Sequence, residues 1–363
     1  MRGRWGEKKW TAVFLTLFFV NSGCQRDMHT VQENRILMDT LVSINVYTAN
    51  FAEEPKLRRA IASAFEEMAR FDSLFSAYRE DSEVSKINRN VSKKLITISE
   101  DMYNVLRVAR WASEISEGAF DVTIGPVLRL WGFGTDSMDL PPPEKISARL
   151  PLVNYKNIVM NRPYHSGEKF RILFGILQSP ENVSLDLGGV AKGYIVDRGI
   201  DVLQQNGIRD AMITAGGDLR ALTSPLTAAS RYIWIRHPRD SAANPFFSRF
   251  KLEGEAAVST SGDYERCFFK AGKRYHHIID PHTGYPAVAA VSATVVAKNS
   301  VQADALSTAV FVLGPQRGIA LADSLPEVEA MIIYQDGEKL SWRATPALQK
   351  KFELFYSEKA SAR

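Results

Sequence analysis

The chain has 363 residues, of which 45% are hydrophobic and 24% charged; that supplies one large core or two lobes and excludes a disordered chain. Three of its four net positive charges lie in residues 1–23, where Arg2, Arg4, Lys8 and Lys9 face only Glu7. The basic balance therefore belongs to a leader, and nucleic-acid binding gains no support from it.

That leader reads MRGRWGEKKW, TAVFLTLFFV, NSGC: a positive n-region, an apolar run too short to span a bilayer comfortably, and small residues before a cysteine. It resembles a bacterial lipoprotein signal, with Asn21 standing where such signals usually carry an aliphatic residue. The alternative is an ordinary cleaved signal peptide. The first reading predicts a signal peptide over 1–23, lipidation of Cys24, a linker over 24–35, a domain over 36–350 of one body or two lobes, and a C-terminal tail over 351–363. It also predicts export and membrane anchoring, on the periplasmic face in a Gram-negative cell. Only Cys267 would then remain as a thiol, so neither a disulfide nor a cysteine zinc site is available.

ILMDTLVSINVYT, residues 36–48, alternates apolar and polar residues and predicts a strand. Ile61, Phe65, Met68, Phe71 and Phe75 fall at helical spacing within 55–78 and predict a core-facing helix. Ser99 is a candidate cap for the next helix, with Glu100 and Asp101 in its first turn. EGAFDVTIGPVLRLWGFG reads as a loop rich in glycine and aromatics, and MDLPPPEKI as a surface loop before a helix. Strands follow at LVNYKNIVM, FRILFG and VSLDLG. The last runs into a helix over GGVAKGYIVDRGIDVLQQNG that Gly207 closes. DAMITAGGDLRAL predicts a strand ending at paired glycines. Polar stretches near 224–231 and 237–248 predict hairpin loops beside strands YIWIR and FKLEGEAAVS. The last third predicts strand AAVSATVVA, helices SVQADALSTAVFVLG and GIALADSL, and strand EAMIIYQ. Strands and helices are interspersed without uniform βαβ units, so the fold class is α+β (mixed α/β), with mixed sheets flanked by helices.

Four segments can carry chemistry. Asp304 and Thr308 share one helix face with Ser307 beside them, an all-oxygen set suited to Mg2+, or equally a helix-start carboxylate with a packed threonine. DLGGVAKGY places Asp186 and paired glycines before a helix start and Lys192 one turn in; this suits a phosphate, or is a tight turn with a surface lysine. It is neither GxxxxGK[ST] nor GxGxxG. RYHHIIDPHTGYP holds three of the six histidines. His277 is the candidate general base, the Asp-Pro and Thr-Gly pairs turn the chain, and a histidine zinc site lacks an HExxH helix. GAFDVTIGP and TAGGDLRAL read as binding loops, with Phe120 or Tyr78 to stack on a ring and Asp121 to hydrogen-bond a base or ribose.

Taken in order, MDT at 38–40, Tyr78 with SEVSKIN, GAFDVTIGPVLRLWGFG, DLGGVAKGYIVD, TAGGDLRAL, VSTSGDYER, HHIIDPHTGYP and ADALSTAVFVLG resemble the ApbE family of FAD:protein FMN transferases. The match spans roughly residues 36–314. The resemblance implies FAD as substrate and Mg2+ as cofactor. It also implies transfer of FMN to a serine or threonine hydroxyl of an exported or membrane redox protein, with release of AMP. It places the metal at Gly189, Asp304, Ser307 and Thr308. The flavin is expected against Met38, Tyr78, Ala119, Phe120, Asp121, Asp186, Lys192 and Ile279, with His277 as base. Asp39 departs from the family's usual MGT by adding a side chain and a charge. Two other functions share these residues: FAD hydrolysis to FMN and AMP, and flavin binding without catalysis.

Overall fold

A computed structural model describes residues 28–89, 95–135, 138–160, 164–166, 169–171, 173–176, 184–223, 231–241, 244–252 and 254–355. The leader with Cys24, most of the polar 224–231 stretch and the last eight residues lie outside the described residues.

The segment 36–48 is not one strand. It is the tip and second arm of a hairpin between β1 (His29–Leu37) and β2 (Thr40–Thr48), in which Leu37 faces Thr40 across a two-residue turn. Met38 and Asp39 both have positive φ, 54° and 56°, as a type I′ turn requires. Strand β1 also occupies most of the segment expected as a linker. Its apolar pattern is sparse, Val31 being its only fully buried hydrophobic side chain, so pairing with β2 rather than its own composition makes it a strand.

Six more strands complete the sheet: β3 (Ala211–Ala215), β4 (Asp218–Leu222), β5 (Ala256–Gly262), β6 (Ser292–Ala297), β7 (Glu329–Asp336) and β8 (Lys339–Ala344). Each pairs antiparallel with the next in chain order. The class is α+β, and every pairing between the described strands is antiparallel, so the expected mixed sheets are antiparallel ones.

The period-2 alternation of the strands assigns the two faces. Ala211, Ile213 and Ala215 join the core beneath α1 (Glu54–Phe75), α2 (Glu83–Arg89), α3 (Glu100–Ile115) and α6 (Ala191–Gln205). Met212 points to the other face, where it joins Phe247 and Phe250. Those two belong to a small sheet of Tyr232–Ser241, Asn244–Lys251 and Phe352–Leu354. Strands therefore occupy residues 237–241 and 244–248 of the stretch read as a loop and the start of the expected tail; one buried ring every three residues among polar neighbours hides the strand period.

Ser99 caps α3 as expected, accepting from the Met102 amide at 3.1 Å. The glycine-rich 117–134 segment is more regular than expected: α4 (Gly125–Trp131) lies within it, started by Pro126 and ended by Gly132 in the left-handed region, the usual helix stop. α5 (Pro143–Arg149) follows the proline run as read. Ser184–Leu187 is not a strand; Leu185 exchanges hydrogen bonds with the Asn88 side chain and the Asp186 amide donates to the Val122 carbonyl. α7 (Ser300–Ser324) breaks at Gly314 before Pro315, which agrees with the two helices expected there. It is apolar and long enough to cross a membrane, but Leu306, Val310 and Phe311 are buried against the sheet, as in a core helix. α8 (Pro346–Gln349) closes the described chain before the last small strand.

Helices α6 and α7 meet at Gly193, where an added Cβ would lie 2.2 Å from the Ser300 carbonyl oxygen and 2.8 Å from Asp304 Cβ. Gly193→Ala should therefore force the helices apart and destabilise the protein by about 2–3 kcal/mol. A shift of the urea midpoint corresponding to less than about 1 kcal/mol would contradict this packing argument.

Candidate active site

Three charged side chains from separate elements converge beside that contact. Lys192, in the first turn of α6, places Nζ 2.7 Å from Asp218 Oδ2 on β4 and 3.5 Å from Asp304 Oδ1 on α7. Asp218 is 1% exposed and Asp304 3%. Asp304 Oδ2 accepts the Gly193 amide at 2.9 Å, so Oδ1 is the oxygen left for another ligand. Burial, and then the charge of Asp218, hold the Asp304 carboxyl well above the usual carboxylate range, against the pull of Lys192. Burial alone would lower the Lys192 pKa, but the two aspartates together raise it.

A chain of hydroxyls lies behind the charges. Ser259 donates to Asp218 Oδ1. Ser307 Oγ lies 3.1 Å from Ser259 Oγ and 2.8 Å from Ser261 Oγ, and donates to the Asp304 carbonyl at 2.9 Å. Ser261 Oγ is in turn 3.3 Å from Thr308 Oγ1. A Cβ on Gly189 would be 3.2 Å from Thr308 Oγ1, so the Gly189 backbone closes the same corner. Gly189, Asp304 and Thr308 are thus brought together, while Ser307 is buried within the hydroxyl chain. Among the described residues no three histidine, cysteine, aspartate or glutamate side chains form a metal cage. The donors present are a carboxylate oxygen and hydroxyls beside the Gly189 backbone, which fit a hard cation such as Mg2+ and not zinc.

His277 follows the strand Lys273–His276. Burial, followed by the positive charge of Arg266 and then of His276, lowers its pKa to about 3. The Lys192 charge also reaches it, and its Nδ1 is buried without a hydrogen-bond partner among the described residues. The other two histidines of the motif are structural. His276 donates from Nε2 to the Ala287 carbonyl at 2.8 Å, and its Nδ1 accepts the Ile278 amide. His282 bridges the Glu117 carbonyl and the Asp280 carboxylate.

The residues expected to contact flavin divide into two groups. Tyr78 is 70% exposed, and its pKa is raised by burial of its hydroxyl end and by the charge of Asp186, with Arg266 and Asp39 acting from nearby. Asp186 itself accepts the Gly188 amide at 2.9 Å. Met38, Asp39, Tyr78, Asp186 and Arg266 therefore form one rim, and Arg266 joins it to His277. The second group faces inward. Phe120 is 4% exposed and lies against Gly189, Ala119 is buried, and Ile279 packs with Val127, Trp131 and Ile146. Asp121 does not present a free carboxylate: Oδ1 accepts from the Thr123 amide and hydroxyl, and Oδ2 from the Tyr155 amide. Its role in the structure is to cap the turn before α4 and hold the 154–155 loop.

Sequence reading missed Asp218, Ser259, Ser261 and Arg266. Asp218 stands in the quoted TAGGDLRAL segment, and the i, i+2 spacing of Ser259 and Ser261 puts both on one strand face. Their convergence on α7 requires the β4–β5 pairing, in which Ser259 faces Asp218.

The sequence model of the ApbE family matches residues 38–332. The chain is 31% identical over 310 residues to the FAD:protein FMN transferase of Treponema pallidum (strain Nichols), covering 83% of each chain. It superposes on the flavin transferase ApbE from Vibrio cholerae with a TM-score of 0.75 at 29% identity, over 89% of this chain and 99% of that one. The ApbE protein of Thermotoga maritima gives the same TM-score and coverage at 30% identity.

Asp39 adopts the left-handed conformation at the second turn position, where glycine is unstrained. Its only ion pair among the described residues, to Arg266, is 3.9 Å long and mostly exposed, a contact of small value. Asp39→Gly should raise stability by about 0.5–1 kcal/mol; a lower denaturation midpoint would mean that the Arg266 contact outweighs the turn strain.

Proposed function

The chain belongs to the ApbE family, and we propose that it is a Mg2+-dependent FAD:protein FMN transferase. It moves FMN from FAD to a serine or threonine hydroxyl of an exported or membrane-associated redox protein. The observation that carries this reading is the pairing of an oxygen-only corner at Gly189, Asp304 and Thr308 with a neutral, unpartnered imidazole, His277, within reach of the same lysine charge. Storage of a flavin needs neither group.

The acceptor hydroxyl oxygen forms a bond to the FMN-side phosphorus while the bond to the AMP oxygen breaks, so AMP leaves with the bridging electrons. His277 takes the hydroxyl proton on its imidazole; the negative pyrophosphate beside it would raise its basicity from the value of the free enzyme. Lys192 supplies a fixed positive charge. When bound at Asp304, Thr308 and the Gly189 carbonyl, Mg2+ supplies charge neutralisation on the phosphate oxygens. Tyr78, Met38 and Asp186 on the rim hold the isoalloxazine end of FAD in this reading. Buried Phe120 supports Gly189 from behind.

The leader supports a cellular setting to match. A positive n-region, an apolar h-region and Cys24 fit export followed by lipid anchoring, which would keep the enzyme beside membrane acceptors.

Incubation with FAD, Mg2+ and an exported acceptor protein tests the reaction. Covalent flavin on the acceptor is expected; free FMN and AMP would favour hydrolysis, and unchanged FAD would sink both enzymatic readings. Asp304→Ala should remove metal-dependent turnover, and His277→Ala should lower kcat by about 10²–10⁴-fold while sparing FAD affinity.

The same assignment fixes a pH dependence. A base with a depressed pKa is neutral above that value and is lost only as pH falls toward it. kcat/KM for FAD at saturating Mg2+ should thus show no imidazole limb near pH 6.5. An acid limb there that His277→Ala abolishes would remove the neutral-base assignment.

A further inference from the structure

Two carboxylates and one ammonium share the buried corner, and their distances are unequal. The Lys192 ammonium is 2.7 Å from Asp218 and 3.5 Å from Asp304. Asp304 Oδ2 is occupied by the Gly193 amide, so the one oxygen that the ammonium approaches loosely is also the one available to a cation. A lysine and a divalent ion would compete for it.

We propose that Asp218 is a positioning residue: it holds the Lys192 ammonium on its own carboxylate and away from Asp304, and so keeps Asp304 Oδ1 open to Mg2+. This rests on the reading of Asp304 as a cation ligand. Asp218 is built for a fixed role. It is the first residue of β4, opposite Ser259 of β5, whose hydroxyl donates to its Oδ1. The preceding Gly217 is pressed so closely on β5 that an added Cβ would lie 2.7 Å from the Thr260 carbonyl oxygen. With Oδ1 held by the serine, Oδ2 is directed at the lysine. Without the Asp218 charge, Asp304 becomes the only counter-ion of Lys192, and the ammonium needs to move less than about 1 Å to close on Oδ1 as a full ion pair.

Titration calorimetry of the complete protein with MgCl2 alone, without FAD, tests this. Asp218→Asn keeps the size of the side chain and its ability to accept from Ser259, and should raise the Mg2+ Kd by about tenfold or more. Adding Lys192→Met to Asp218→Asn removes the competitor and should bring the Kd back to within about threefold of the unsubstituted protein. An unchanged Kd in Asp218→Asn, or a double variant as weak as the single one, would overturn the proposal. A purely structural role predicts a lower melting temperature without rescue by Lys192→Met. If Asp218→Asn does not fold, Ser259→Ala, which frees the Asp218 carboxylate to turn and also removes one hydroxyl contact of Ser307, should weaken Mg2+ in the same direction, and an unchanged Kd there would count against the proposal. Asp304→Ala separates the two levels of the argument. Mg2+ binding as tight as in the unsubstituted protein would refute the cation site itself, whereas loss of binding there alongside an unaffected Asp218→Asn would refute only the role of Asp218.

Discussion

Helices α6 and α7 satisfy each other's starting amides, and the site depends on that exchange. The Gly193 amide of α6 donates to Asp304 on α7, while the Ser300 and Val301 amides of α7 donate to the two oxygens of Asp197 on α6, each at 2.9 Å. The first amides of a helix have no partner inside it and are costly to bury unpaired. Here each helix supplies the carboxylate that the other needs, and Arg220 on β4 binds Asp197 from the sheet. The exchange needs backbone contact, which the missing side chain of Gly193 permits. It also fixes which oxygen of Asp304 is used for structure and which remains for chemistry.

The charges next to this contact are arranged to disagree with their surroundings. Buried ions are stabilised only when paired and hydrogen-bonded, yet the corner holds two aspartates against one lysine, which leaves an excess of negative charge. A few residues away burial, with the Arg266 charge beside it, keeps His277 neutral. One end of the site therefore suits a cation, and the other keeps an imidazole unprotonated at neutral pH. Lys192 acts on both ends. Such opposed shifts in one cleft are the mark of a site tuned for reaction rather than for stability. The serine and threonine hydroxyls between β5 and α7 extend hydrogen bonding to the corner without adding charge.

Local signals explain what the sequence made visible. The apolar spacing of α1, the Ser99 cap, Gly207 after α6 and Gly314-Pro315 within α7 act within a few residues, and each appears where it was read. The Asp304–Thr308 pair was legible for the same reason, since helical spacing alone puts both on one face. Features that depend on a distant partner were not legible. Strand β1 has one buried apolar residue and is a strand because β2 pairs with it. Asp218 is a strand-end acid like many others until β5 and α6 bring Ser259 and Lys192 to it. Asp121 shows a mixture: its cap on the Thr123 amide is a local i, i+2 pattern, whereas the Tyr155 amide that its other oxygen accepts comes from a loop that no local pattern brings there.

The turn at Met38-Asp39 shows which consequence of a sequence departure matters more. An aspartate in place of glycine adds both a negative charge and a side chain in the left-handed region. The charge is 81% exposed, so water and salt screen it beyond about 8–10 Å, and Arg266 at 3.9 Å offsets part of it. The backbone has no comparable screening. Both turn residues lack glycine's freedom, and the hairpin keeps its shape because the Met38 amide donates to Asp72 on α1 at 3.0 Å and nine residue pairs of β1 and β2 stay in register. Strain of this kind persists only where neighbouring contacts over-determine the conformation. The hairpin tip is consequently anchored to α1 through Asp72, which ties the rim of the site to the helices packed on the sheet.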